Sequence, residues 1–382
     1  MPSIAIEIIL TVGAVAAVFS SLLFMLAYRG WMKALRQPPA RDDGRAVSVV
    51  IAAHDEARNI GALLEALCAQ DAAKQDFEVV VVDDRSTDQT GAIARAFAGR
   101  LDLRVQRVEA TPPDVSPKKH ALHLGISEAR HDTILLTDAD CVPGPFWIKG
   151  MRESFSSGAD AVVGLAPLDA AAPLDAGASR GLAASYAAFE SRRTTMLAVA
   201  AAASGLPYMA SGRSWGFTRA VYTRSGGLPP LYAQLGGDDD LLLQRLVAAG
   251  CRVGTCTRKD AMVRSATPAD WRALFVQKMR HYRVSSAYRG RAALLLGAFV
   301  AAELLVPLLA VVLTVLIEGP ARVLPLLFWL WKLWYDTNFL AHAVKWMDGN
   351  SRRLPLALSE GLHIFFSALT GFTSFVKPPH WK

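Results

Sequence analysis

The chain has 382 residues, of which 52% are hydrophobic, with a mean hydropathy of +0.25 and a formal net charge of +7. That is too apolar for an ordinary soluble protein, and basic charge with no nucleic-acid-binding motif beside it points to a membrane surface rather than to nucleic acid. Cys68, Cys141, Cys251 and Cys256 have neither metal-ligand nor redox spacing, which fits reduced thiols and excludes a disulfide scaffold.

The apolar residues gather at the two ends. Residues 4 to 28 carry one acid, Glu7, and are long enough to span the ~30 Å hydrocarbon core of a bilayer. Their apolar run exceeds that of a cleaved signal peptide and no basic region precedes it, so a retained anchor over 1–30 is expected. Arg29, Lys33, Arg36, Arg41 and Arg45 follow, which places the N-terminus outside and the next region in the cytoplasm.

Between the ends, residues 46–285 alternate strand and helix signals. Val47 to Ala53 reads as an apolar strand and 56 to 70 as a helix with Ile60, Leu63, Leu64 and Leu67 on one face. Phe77 to Val82 and Leu103 to Val108 read as further strands, with a helix over 88 to 98 between them. Pro117 to Ala129 reads as a helix and Thr133 to Thr137 as the fourth strand. This order implies an α/β domain of Rossmann-like type, a mostly parallel sheet with helices on both faces and ligands at the C-terminal strand edges.

That edge is acidic. The fourth strand runs into Thr137-Asp138-Ala139-Asp140, two carboxylates one residue apart, which suits Mg²⁺ or Mn²⁺ bridged to a diphosphate. His54-Asp55-Glu56 follows the first strand and Asp83-Asp84 the second, with Asp88 placed to cap the next helix. Further on, Gly236-Gly237-Asp238-Asp239-Asp240 opens an amphipathic helix, and three adjacent carboxylates repel one another, so stability alone does not account for them.

Residues 258 to 291 hold nine Lys or Arg against two Asp, as expected beside an anionic leaflet. Apolar segments then recur at about 292 to 317, 323 to 344 and 354 to 376, a C-terminal membrane region over 291–377. Lys345, Arg352 and Arg353 place the second connection in the cytoplasm, whereas Lys377 and Lys382 then fall outside, so the last segment either spans or lies in the interface. Lys332 and Asp336, four apart on one helix face, either neutralise each other or handle an acceptor.

Five motifs in this order resemble the membrane-associated family 2 glycosyltransferases with a GT-A catalytic domain, a group that includes ceramide glucosyltransferase-like and polysaccharide synthase-like enzymes. They are Val49 to Glu56, Val81 to Thr90, Lys118 with Ala121-Leu122, the Asp138–Asp140 pair with Gly237 to Leu241, and Gln277-Lys278-Met279-Arg280. The resemblance implies an inverting, metal-dependent transfer of a sugar from a nucleotide sugar, a UDP-sugar being the expected donor, to a lipid or lipid-linked acceptor. It assigns Asp239 as general base with Asp238 second, Asp140 and Asp138 to the metal, and Ala52, Ala53, Glu56, Asp83, Asp84, Lys118, Asp138, Gln277 and Arg280 to the donor.

The run Ser211-Gly212-Arg213-Ser214-Trp215 falls, with His281, where relatives bind acceptor, and Trp215 either stacks on sugar or packs. His281 stands where polymer synthases carry a stacking Trp, which weighs against the main alternative, a processive polysaccharide synthase; a non-catalytic nucleotide-sugar-binding protein is the other. Expected overall is a multi-pass protein of the cell membrane with its catalytic domain in the cytoplasm.

Overall fold

The computed structural model describes residues 2–38, 40–169, 181–234, 236–348 and 356–376. Arg352, Arg353, Lys377 and Lys382, which bear on the expected topology, lie outside the described residues.

A 35-residue helix, α1 (Pro2–Arg36), leads into β1 (Val47–Ala53), α2 (Ile60–Cys68), β2 (Phe77–Asp84), α3 (Thr90–Arg95) and β3 (Leu103–Val108). Then come α4 (Pro117–Glu128), β4 (Thr133–Leu136), β5 (Cys141–Pro143), α5 (Trp147–Ser156), β6 (Ala161–Gly164) and β7 (Leu168–Asp169). A 22-residue α6 (Leu182–Ala203) precedes β8 (Trp215–Thr218), α7 (Arg219–Arg224), α8 (Asp240–Ala248), β9 (Val253–Cys256), β10 (Val263–Ala266) and α9 (Trp271–Ser285). Three helices close the chain: α10 (Gly290–Leu316), α11 (Leu324–Asp348) and α12 (Leu356–Val376).

The main sheet has seven strands in the order β3-β2-β1-β4-β8-β6-β9, and β5-β10-β7 form a second, smaller sheet. Strands β3, β2, β1 and β4 are parallel, with Val47 opposite both Phe77 and Thr133, while β8 runs antiparallel to β4 and β6. Side chains of β1 alternate between two cores. Val47, Val49 and Ile51 pack with Leu63, Leu64 and Phe155 from α2 and α5, and Val50 packs on the other face with Leu122 and Tyr186 from α4 and α6. Each such fully buried Val or Ile contributes about 1.5–3 kcal/mol, which is why both faces of these strands read as unbroken apolar runs.

The register sets the site. Because β1, β2 and β4 are parallel and adjacent, the segments that follow Ala53, Asp84 and Leu136 emerge together at one sheet edge. The helix expected over 88 to 98 is shorter, α3 alone, because Asp88 folds its carboxylate back onto the Thr90 backbone N–H and side chain and onto the Ala57 N–H, holding a turn there.

Helices α1 and α10 are long and apolar enough to cross a membrane. Helix α1 lies on α6 at Gly30, where an added Cβ would meet the Ala200 carbonyl oxygen at 2.5 Å, so only glycine permits the approach. Helix α12 is inverted in its polarity: Leu358, Leu362, Phe365, Leu369, Phe372 and Val376 face outward, whereas Ser359, Glu360, Thr370 and Ser374 are buried. Its charge is met inside, where Arg193 donates to Glu360 at 2.9 Å. Lys332 bonds Asp336 as the sequence spacing allowed, but also Glu303 of α10 at 2.7 Å, so the pair is part of an interhelical triad.

Candidate active site

Asp138 and Asp140 sit just beyond β4, and their oxygens lie with the Cys141 sulfur within 4.8 Å of one another. Burial and the neighbouring Asp138 charge raise the pKa of Asp140, with Arg213 acting in the opposite direction. Burial also pushes the Cys141 thiol well above its ordinary range.

Lys118, in the first turn of α4, bridges two acidic clusters distant in sequence: its ammonium lies 2.8 Å from Asp138 and 2.9 Å from Asp238. Burial opposes its charge, but Asp138 and Asp238 outweigh that and hold the ammonium well above its usual range.

The second cluster divides its carboxylates by environment. Asp238 is half-buried, and Lys118 holds it below the ordinary carboxylate range against the desolvation. Asp239 precedes α8, and its two oxygens accept from the backbone N–H groups of Asp240 and Gly212, each at 2.7 Å. Burial first and the Asp238 charge second push Asp239 up to about 6. Gly237 makes the turn with φ +72, a left-handed conformation, and a Cβ there would strike Leu241. Asp240 is raised well above its normal value by burial and by Asp239, and it accepts from the Tyr288 hydroxyl at 2.5 Å.

On α9, Gln277, Arg280 and His281 line the same cavity as Asp138, Asp140, Asp238 and Asp239. The Gln277 Oε1 is buried without a partner among the described residues. His281 is exposed within the cavity, and desolvation there with the Lys278 and Arg280 charges lowers its pKa.

The residues expected at the nucleoside form a separate bank. Glu56 is half-buried and raised by burial and by the Asp140 and Asp138 charges, so it borders that acidic pair. Asp83 and Asp84 are buried and engaged within the protein, Asp83 by Arg107 at 3.0 Å and by the Ser86 N–H, and Asp84 by Arg85 at 2.8 Å. The Ala53 side chain is buried and that of Ala52 half-buried, and both belong to β1.

Trp215 requires a correction. It is fully buried in β8, its ring 5.0 Å from that of Phe217, and it belongs to the core rather than to an acceptor platform. The functional candidates in that stretch are the residues just before it: Gly212, which donates to Asp239, and Arg213, which lines the cavity. Tyr288 escapes notice in the sequence because its partner, Asp240, comes from a distant segment.

Comparison with known proteins follows this geometry. The model of the "Glycosyltransferase like family 2" family matches residues 44–283. A probable glycosyltransferase, YdaM of Bacillus subtilis, is 37% identical over 98 residues, covering 25% of this chain and 23% of that one. Glycosyltransferase AglE of Haloferax volcanii is 33% identical over 120 residues, covering 31% and 38%. The chain thus spans less than two fifths of either relative. Among solved structures, mannosyltransferase PcManGT of Pyrobaculum calidifontis, in complex with GDP-Man and Mn²⁺, is similar with a TM-score of 0.57 at 19% identity, covering 93% of this chain and 99% of that one. Matched over most of its α/β domain, this chain belongs to glycosyltransferase family 2 and has a GT-A fold.

Proposed function

We propose that the protein transfers a single sugar from a nucleoside-diphosphate sugar, a UDP-sugar by preference, to a membrane lipid, with inversion and at the cytoplasmic face. The observation that carries this reading is one cavity of about 1290 Å³ lined by Asp138, Asp140 and Asp239 at one end and by Leu296, Val300 and Leu304 of α10 and Ile364, Ala368 and Phe372 of α12 at the other. A site for a charged donor that is continuous with an apolar groove suits an amphiphilic acceptor. The outward apolar stripe of α12 and the two long apolar helices support embedding of that groove in a bilayer, in a multi-pass arrangement.

The chemistry follows from the carboxylates. Asp239 takes the proton of the acceptor hydroxyl as that oxygen attacks the anomeric carbon, and a single in-line displacement inverts the centre. A carboxylate titrating near 6 is ionised at neutral pH and still basic enough to accept a proton. Asp238, pinned by Lys118, fixes the loop and keeps Asp239 the weaker acid of the pair.

Asp138 and Asp140 offer the hard oxygen donors that Mg²⁺ and Mn²⁺ prefer, and they would hold such an ion against the donor diphosphate. Bound there, the cation would neutralise charge on the departing diphosphate. Gln277 lines the same cavity, and its buried Oε1, unpartnered among the described residues, would accept a donor hydroxyl once its side chain turns toward the cavity.

The test is turnover by purified protein in detergent across a panel of nucleotide sugars with Mn²⁺ or Mg²⁺, with and without total membrane lipid. Metal-dependent turnover stimulated by lipid, yielding a glycolipid with inverted anomeric configuration, is the expected result. A long soluble polymer as sole product, or full activity of Asp239→Asn, would sink the proposal.

A further inference from the structure

We propose that Arg213 binds the diphosphate of the donor and stabilises it as the leaving group. This rests on the reading of the site as a nucleoside-diphosphate sugar site. Lys118, the cation nearest the metal carboxylates in sequence logic, is already neutralised by Asp138 and Asp238. Arg213 is not. Its guanidinium lines the cavity and bonds only serine hydroxyls among the described residues: Ser211 from Nε at 3.2 Å, Ser265 from Nη1 at 3.1 Å and Ser191 from Nη2 at 3.4 Å.

Those three hydroxyls come from a loop, from β10 and from α6, so the planar group is held on three sides by neutral partners, with Asp140 near enough to feel its charge but not in direct contact. A guanidinium has five N–H donors, and the serines take three. The remaining two suit two oxygens of a phosphate, the fork geometry for which arginine is preferred over lysine. The position fits as well. The adjacent Gly212 lies against both clusters, its added Cβ falling 3.3 Å from Asp239 and 3.5 Å from Asp138.

In the transfer, the bond between the acceptor oxygen and the anomeric carbon forms while the bond from that carbon to the β-phosphate oxygen breaks. The bonding pair leaves with the phosphate, and the acceptor proton goes to Asp239. Arg213 donates two hydrogen bonds to the phosphate on which the negative charge accumulates.

The experiment uses the full chain in detergent with Mn²⁺. Calorimetric binding of UDP, GDP, UMP and GMP is measured for the wild type, Arg213→Gln and Arg213→Lys, beside hydrolysis of the preferred nucleotide sugar. Arg213→Gln is expected to weaken diphosphate binding about 10- to 100-fold, to change monophosphate binding less than about threefold, and to lower hydrolysis about 10²- to 10³-fold. Arg213→Lys, which keeps the charge and loses the fork, should fall between, and retained monophosphate binding shows that each variant is folded.

Unchanged diphosphate binding in Arg213→Gln overturns the proposal, including the case in which only use of a phosphorylated lipid acceptor suffers. Equal loss of mono- and diphosphate binding overturns it too. A wild type that binds no nucleotide at all overturns the functional reading itself, a result separable from either.

Discussion

At the residue scale the site is a set of carboxylates made unequal by their neighbours. Asp238 and Asp239 are adjacent in sequence, yet Lys118 holds one low while burial and the first carboxylate hold the other near 6. A base must be deprotonated, so the rate should rise about tenfold per pH unit below 6 and level off above it. Asp239→Asn should remove that limb together with about 10²- to 10⁴-fold of the rate. A rate flat from pH 5 to 8 would exclude Asp239 as the base. The acidic pairs were legible because D-x-D and the three-carboxylate run are local patterns at strand and helix ends. Trp215 was not, since an aromatic at a strand end looks alike whether it faces a sugar or the core, and the crossing of β8 between β4 and β6 decides it. Trp215→Ala should therefore cost about 3–5 kcal/mol of stability, read as a lowered Tm. A variant with unchanged Tm and a raised acceptor KM would restore the stacking role.

At the scale of elements, parallel strand order was readable because buried strands are continuous apolar runs separated by helical periods, and both signals lie within one segment. The neighbours of β4 were not, since β8 joins from some 80 residues away and antiparallel, and no local pattern records that pairing. The same limit applies to helix contacts. Lys332 and Asp336 announced an i,i+4 pair, but Glu303, 29 residues away, completes the triad from α10. All three are buried, so removing the one cation leaves two unpaired carboxylates. Lys332→Met should destabilise the protein by about 3–5 kcal/mol, whereas the triple change Glu303→Gln, Lys332→Met and Asp336→Asn should recover most of the loss. Thermal aggregation in detergent reads both. A single variant as stable as the wild type would show that the triad leaves helix packing unsupported.

At the scale of the whole molecule, one cavity is shared by an acidic sheet edge and two apolar helices. The donor end is built by α4, α8 and the loops after β4 and before β8, and the opposite end by α10 and α12. Those two helices contribute glycines to the lining, Gly297 and Gly371, where an added Cβ would meet nothing within 4 Å. Open space beside a helical glycine is room that a substrate can occupy and that a side chain can fill. Gly297→Leu and Gly371→Leu should therefore fold normally, since the new side chain meets no neighbour at its root. Both should leave donor hydrolysis within about twofold of the wild type, because Asp138, Asp140, Asp239 and Arg213 are untouched. Transfer to lipid should fall by at least about tenfold, the loss expected when an acceptor forfeits roughly 1.4 kcal/mol of binding, while transfer to a short-chain, water-soluble acceptor of the same head group should persist. Equal loss with both acceptors would mean that the glycines serve the donor end. Unaltered transfer to lipid would remove α10 and α12 from the acceptor path and separate the apolar end of the cavity from the reaction.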